Sequence, residues 1–311
     1  MEHLLRAVFE PGFFGSAPVH VALLAGGVVA VVSGIVGTFT VLRGQSYAGH
    51  ALGDLSATGG SASFLIGISP LWGFAGTSVA AAGIMDMIGV QRPRGRDLAT
   101  GIVRGAGLGV AALFLYWDTL HTSTTGATIT VLFGSLFTIS SSILPVIAAF
   151  SLAAVGIVAV LYRPLLLSSV SADLAVVRGI SVRATGALCL VAIALAVSLS
   201  AITIGAILST ALLVGPAATA LRLTSRPGLM LLWSALIGLA VTWLGILLAF
   251  DSYYWPPAGH GWPVSFFVVA LILIFYLLAQ VLRGGARARD SRDARDSRGA
   301  RDGRGVQPEC G

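Results

Sequence analysis

The stretch from Arg43 to Ser63 reads R-G-Q-S-Y-A-G-H-A-L-G-D-L-S-A-T-G-G-S-A-S and separates two strongly apolar segments. Its polar side chains Tyr47, His50, Asp54, Thr58 and Ser61 follow one another at steps of three, four, four and three. On an α-helix such steps form one continuous stripe. The stripe reads as the wall of a pathway through a bilayer. At 1.5 Å of rise per residue, His50 and Asp54 stand roughly 10 and 16 Å along the helix from Arg43, which puts Asp54 near the bilayer middle. A carboxylate exposed to lipid at that depth costs at least ~2.5–3.5 kcal/mol, so Asp54 must face protein, water or an ion.

The composition sets the solvent. Over 311 residues the chain is 56% hydrophobic, only 10% charged, and has a mean hydropathy of +0.91. These values are too apolar and too charge-poor for an ordinary soluble domain and describe an all-α polytopic membrane protein. The net charge of +6 does not indicate a nucleic-acid partner, because all 19 basic residues are Arg and eight of them lie at or beyond Arg283, outside the apolar body. Two cysteines, Cys189 in an apolar run and Cys310 in a polar tail, support neither a disulfide framework nor a thiolate metal site. The N-terminus has acidic residues and no compact apolar core before a small-residue cleavage site, so it does not read as a signal peptide.

Runs long enough to cross ~30 Å of hydrocarbon occur near 20–42, 45–68, 71–89, 100–117, 143–162, 183–200, 203–222, 229–250 and 264–282. That predicts nine spans, or eight if one is broken or re-entrant. Nearly all the arginines before the tail, from Arg43 to Arg226, fall at one side of this pattern, which is therefore predicted to be cytoplasmic. The opposite loops hold Glu2, Glu10, Asp118 and Asp251 with only Arg6. The N-terminus is then outside and the C-terminus on the cytoplasmic side of the membrane. Arg104, a few residues past the basic loop, is expected to snorkel back to the cytoplasmic surface.

An imidazole and a carboxylate one turn apart form a two-ligand half-site for zinc, manganese or iron(II) and do not suit Cu(I). The alternative for His50 and Asp54 is a hydrogen-bonded pair that only packs the helix, yet a packing pair needs no track continuing through Thr58 and Ser61. Gly49, Gly53, Gly59 and Gly60 permit close approach of a second backbone, for which a symmetric partner is the natural candidate. A two-fold dimer meeting along this helix supplies two His and two Asp.

Between Asp118 and Ser142 the outer connection contains V-L-F-G-S-L-F-T-I-S, too short to span, and reads as a half-helix at the outer mouth or a loop shown to an external partner. On the cytoplasmic side, Ser171 reads as an N-cap, Asp173 suits the first turn and Gly179 reads as a stop. A short surface helix near 172–178, carrying Leu174 and Arg178, is predicted. It suits docking into a groove on an ATPase, and equally an ordinary interfacial connector. From Arg283 the R-D-S-R-D-A-R-D-S-R repeat lacks apolar periodicity and is expected to be disordered, with arginines suited to anionic lipid.

The run from Ile204 to Leu223, I-G-A-I-L-S-T-A-L-L-V-G-P-A-A-T-A-L-R-L, resembles the best-marked segment of the membrane subunits of zinc and manganese ABC importers, the ABC-3 permease family. G-T-F-T-V-L-R-G, R-D-L-A-T-G-I, L-F-G-S-L and D-L-A-V-V-R-G-I resemble further family elements in the same order, over roughly residues 20–282. One departure stands out: members usually read G-D-A-L-S-H in the second span, whereas this chain reads Gly49-His50-Ala51-Leu52-Gly53-Asp54, with the two ligand types exchanged. The start of the last span is also altered, to P-A-G-H-G-W-P-V-S-F-F, where His260 reads as a solvated loop histidine.

The resemblance implies an ABC importer permease fold over residues 20–282, after an outer or interfacial segment 1–19 and before a disordered tail 283–311. It implies a homodimer that imports a divalent transition metal as substrate, with no permanently bound cofactor and no enzymatic activity of its own. His50 and Asp54 are the expected metal ligands, Tyr47, Thr58 and Ser61 the pathway lining, and Ser171, Asp173, Leu174, Arg178 and Gly179 the coupling segment. Separate cytoplasmic ATP-binding subunits and an extracytoplasmic metal-binding protein are the implied partners, because the chain lacks a G-x-x-x-x-G-K-[ST] phosphate loop. A secondary metal transporter or channel working without ATP is the competing function.

Overall fold

The stretch that decides the fold forms a helix, Ser46–Ile66 (α2), and its neighbours in sequence pack directly on it. The computed structural model describes residues 13–88, 96–122, 126–134, 136–255 and 261–302, without the side chains of 14, 96–99, 122, 172, 254 and 284–302. The expectations for the first twelve residues, for His260 and for residues 303–311 lie outside that set. Helix Ala17–Leu42 (α1) precedes α2 across a three-residue turn in which Gly44 takes a φ of 64° and the Gln45 N–H donates to the Thr40 carbonyl at 2.8 Å. At the far end of α2, Gly67 at φ 74° terminates the helix, its N–H donating to the Phe64 carbonyl and that of Ile68 to Ser63. This left-handed cap leads to Pro70, the first residue of helix Pro70–Ile88 (α3).

Helices Arg96–Thr122 (α4), Leu144–Val160 (α6), Val182–Ile204 (α9), Ser209–Leu223 (α10), Pro227–Asp251 (α11) and Val264–Asp302 (α12) complete the bundle, with short helices Gly126–Phe133 (α5), Tyr162–Val170 (α7) and Ala172–Val177 (α8) between them. Among the described residues, seven helices are long and apolar enough to cross a bilayer, of which α9 is the most buried. Adding α2, long enough but more polar, and the shorter α10 gives nine, within the eight to nine expected. Arg43 donates to the Ser168 hydroxyl at 2.6 Å and Arg283 to the Leu221 carbonyl at 3.2 Å, so the arginine-rich helix ends gather at one end of the bundle.

At the opposite end two interrupted segments meet. The eight residues of α5 extend only about 12 Å, as expected of a half-helix. Gly134 (φ 82°) and Gly205 (φ 99°) break their helices where these segments touch, and the Ala206 N–H donates to the Val131 carbonyl at 2.9 Å. The run 203–222 is therefore broken near its start. Ile204 ends α9, and α10 begins at Ser209 and reaches about 22 Å.

Buried hydroxyls bond back to their own helices, Thr38 to the Gly34 carbonyl and Ser63 to the Gly59 carbonyl, both at 2.9 Å, as a dry interior requires. The glycines of α2 are consumed within the chain. An added Cβ at Gly59 would collide with the Gly73 carbonyl of α3, at Gly60 with the Phe74 ring, and at Gly49 with Leu213 of α10. They bring α2 against its own neighbours, which corrects the expectation that they admit a symmetric partner. Helical backbone continues to Asp302 through residues read from composition as disordered. The repeat places Arg289 and Asp293, Arg292 and Asp296, and Arg298 and Asp302 four residues apart, a spacing at which opposite charges favour helix.

Candidate functional site

Tyr47, His50 and Asp54 lie on consecutive turns of α2 where it meets α4 and α10. His50 Nδ1 is 2.8 Å from the Thr210 hydroxyl at the start of α10. His50 Nε2 faces Asp54 Oδ2 at 3.9 Å. In the tautomer that donates from Nδ1 to Thr210, Nε2 keeps its lone pair on the side of the carboxylate. Two ligands ~2.1 Å from a tetrahedral metal stand about 3.4 Å apart, so these donor atoms are within half an ångström or so of sharing one ion. Fixing the second ring nitrogen of a metal-ligating histidine by a hydrogen bond is the usual way of orienting it. The Asp54 side chain is 7% exposed and that of His50 32%, so the pair is reached from the imidazole side.

The carboxylate is not free. The Arg104 Nε–H of α4 donates to Asp54 Oδ2, the oxygen that faces His50, and the Tyr47 hydroxyl lies near the same guanidinium. Arg104 therefore does not snorkel to the arginine-rich surface. Its position follows from register: α2 starts at Ser46 and α4 at Arg96, both from that end, and Asp54 and Arg104 are each eight residues in, about 12 Å deep. At that depth a short lateral ion pair neutralises both charges. A return to the surface would leave Asp54 unpaired.

The remainder of the stripe is engaged in packing. Thr58 donates to the Gly107 carbonyl of α4 at 2.8 Å, and the fully buried Ser61 to the Ala57 carbonyl of its own helix at 2.7 Å. The structure thus brings together Tyr47, His50 and Asp54 with two groups sequence reasoning missed, Arg104 and Thr210. Among the described residues no three His, Cys, Asp or Glu side chains converge.

The segment from Ser171 to Gly179 forms as its capping residues dictate. α8 spans Ala172–Val177, the Ser171 hydroxyl accepts from the Leu174 N–H at 3.3 Å, Arg178 is the C-cap, and Gly179 takes a φ of 74°. Asp173, Leu174 and Arg178 are solvent-exposed, as are Val176 and Val177, while Ala175 is fully buried.

The model of the ABC 3 transport family matches residues 18–281, the whole helical body from α1 to the membrane-length part of α12. The chain belongs to the ABC-3 transport family. Among relatives, it is 30% identical to the manganese transport system membrane protein MntC of Halalkalibacterium halodurans, over 72% of this chain and 76% of that one. It is 27% identical to the high-affinity zinc uptake system membrane protein ZnuB of Buchnera aphidicola, covering 83% and 97%. Among solved structures it superposes on PsaBC of Streptococcus pneumoniae with a TM-score of 0.73 at 25% identity, covering 86% of this chain and 92% of that one. An inward-facing metal-chelate type ABC transporter shares the fold, with a TM-score of 0.67 at 16% identity. This ABC-3 protein is thus a multi-pass membrane permease subunit of an ATP-driven system, whose ATP hydrolysis resides on a separate ATPase. That assignment sets aside the ATP-independent carrier or channel.

Proposed function

We propose that this ABC-3 permease subunit imports a divalent transition metal, manganese or zinc, through a site built on His50 and Asp54. The observation that carries the proposal is the facing of His50 Nε2 and Asp54 Oδ2 at 3.9 Å, with the far ring nitrogen held by Thr210. The relatives' manganese and zinc transport names favour the same cargo. Two ligands are too few to trap the ion, which suits a site that must release it. A second copy of the chain, approaching the accessible side of Tyr47 and His50, supplies further ligands. α8 docks on the cytoplasmic ATPase through Leu174, Val176 and Val177, with Ser171, Asp173, Arg178 and Gly179 holding its shape. An extracytoplasmic binding protein delivers the metal, and iron(II) is a further candidate by donor chemistry.

The test is ATP-driven uptake of Mn²⁺ and Zn²⁺ in proteoliposomes containing the permease with its ATPase. A His50→Ala/Asp54→Ala variant that assembles normally is expected to lose nearly all uptake. Undiminished uptake would remove the pair from the pathway.

A further inference from the structure

Resting on the assignment of His50 and Asp54 to the metal, we propose that Arg104 is a tethered counter-cation, which occupies the metal's place on Asp54 and must be displaced when the ion binds. The guanidinium Nε–H donates to Oδ2, the same carboxylate oxygen that faces His50 Nε2. A metal held between Nε2 and Oδ2 needs that oxygen's lone pair, so the two cations compete for one acceptor. They cannot sit side by side without strong repulsion in a site where water is scarce.

The surroundings let Arg104 leave. Its side chain is 30% exposed. The Tyr47 hydroxyl lies near the same guanidinium and offers an alternative acceptor when the bond to Asp54 is broken. The buried carboxylate is thereby neutralised in both states, by guanidinium when the site is empty and by the metal when it is loaded. This avoids the cost of an unpaired charge at that depth. The same exchange keeps metal affinity low enough for release and links metal arrival to a movement between α2 and α4. Arg104 is a positioning residue in this scheme and does not ligate the ion.

Two measurements on the permease assembled with its ATPase test the proposal. The first is equilibrium binding of Mn²⁺ and Zn²⁺. Arg104→Gln removes the competing charge and is expected to bind roughly tenfold or more tightly than the natural chain, the scale of one lost charged hydrogen bond. Arg104→Lys, which keeps the cation, is expected to stay within a few-fold of the natural chain. A merely structural role predicts weaker or unchanged binding in Arg104→Gln and overturns the proposal. The second uses the unmutated complex and therefore does not depend on a variant folding. Phenylglyoxal modification of Arg104 is followed by mass spectrometry with and without Mn²⁺, using exposed Arg226 as the internal reference. Modification several-fold faster with metal supports displacement, and equal or slower modification refutes it. His50→Ala/Asp54→Asn separates the two levels of inference. If that variant still binds metal at full affinity, the site itself is wrong. If it loses binding while Arg104→Gln and the modification rate are unaffected, only the counter-cation is wrong.

Discussion

At the scale of single residues, the site is an imidazole whose usefulness depends on which nitrogen carries the proton. The Thr210 hydroxyl stands 2.8 Å from Nδ1, and in the tautomer that donates from Nδ1 to it, Nε2 faces Asp54 with its lone pair. Removal of such an outer partner typically weakens metal binding by about 10–100-fold. Thr210→Val, close in volume but without the hydroxyl, is therefore expected to weaken Mn²⁺ binding on that scale. Thr210→Ser should restore most of it, and titration of the purified complex distinguishes the two. Asp54 presents the opposite problem, a charge needing a partner at all times. Arg104 meets that need in the structure, so Asp54 is stable where it stands but not idle as a ligand.

At the scale of elements, α8 and the meeting of α5 with the break between α9 and α10 show how local chemistry shapes the ends of the bundle. α8 is six residues long, far too short to be stable alone, and is held by the Ser171 cap, by the left-handed Gly179 and by burial of Ala175. With Val177 85% exposed beside Leu174 and Val176, its outer face is apolar without an internal reason to be so. Val177→Asp is expected to cut ATP-driven uptake several-fold while leaving equilibrium Mn²⁺ binding unchanged. Loss of both together would point to misfolding rather than uncoupling. The meeting of α5 with the break between α9 and α10 lies at the end remote from the arginines, where Gly134 and Gly205 take positive φ inside the protein.

At the scale of the whole molecule, the charge carried by the helix ends bears on orientation in the membrane. Arginines cluster at the ends of α1, α6, α10 and the membrane-length part of α12, and at the starts of α9 and α11, and by the positive-inside rule that face is expected to be cytoplasmic. A fluorescent protein fused after the last residue is expected to fluoresce in cells, and an alkaline phosphatase fused there to stay inactive. The reverse pattern would invert the membrane orientation, and with it the assignment of α8 to the ATPase side.

What was legible in the sequence was what short-range chemistry controls. Hydropathy set the solvent and the spans, because each helix satisfies its own backbone and needs only the right length of apolar residues. The Ser171 cap and the Gly179 stop were equally readable, since each acts within three or four residues. The steps of three and four from Tyr47 to Asp54 placed the candidate site on one face. Tertiary structure alone decided what that face meets. Arg104 is 50 residues from Asp54 and Thr210 is 160 residues from His50, and their meeting depends on the relative depth of packed helices, which no local pattern specifies. The same packing turned the α2 glycines inward against α3 and α10 and closed the stripe at Thr58 and Ser61. Burial of a charge has to be balanced across helices, and only the assembled bundle shows that Arg104 balances Asp54.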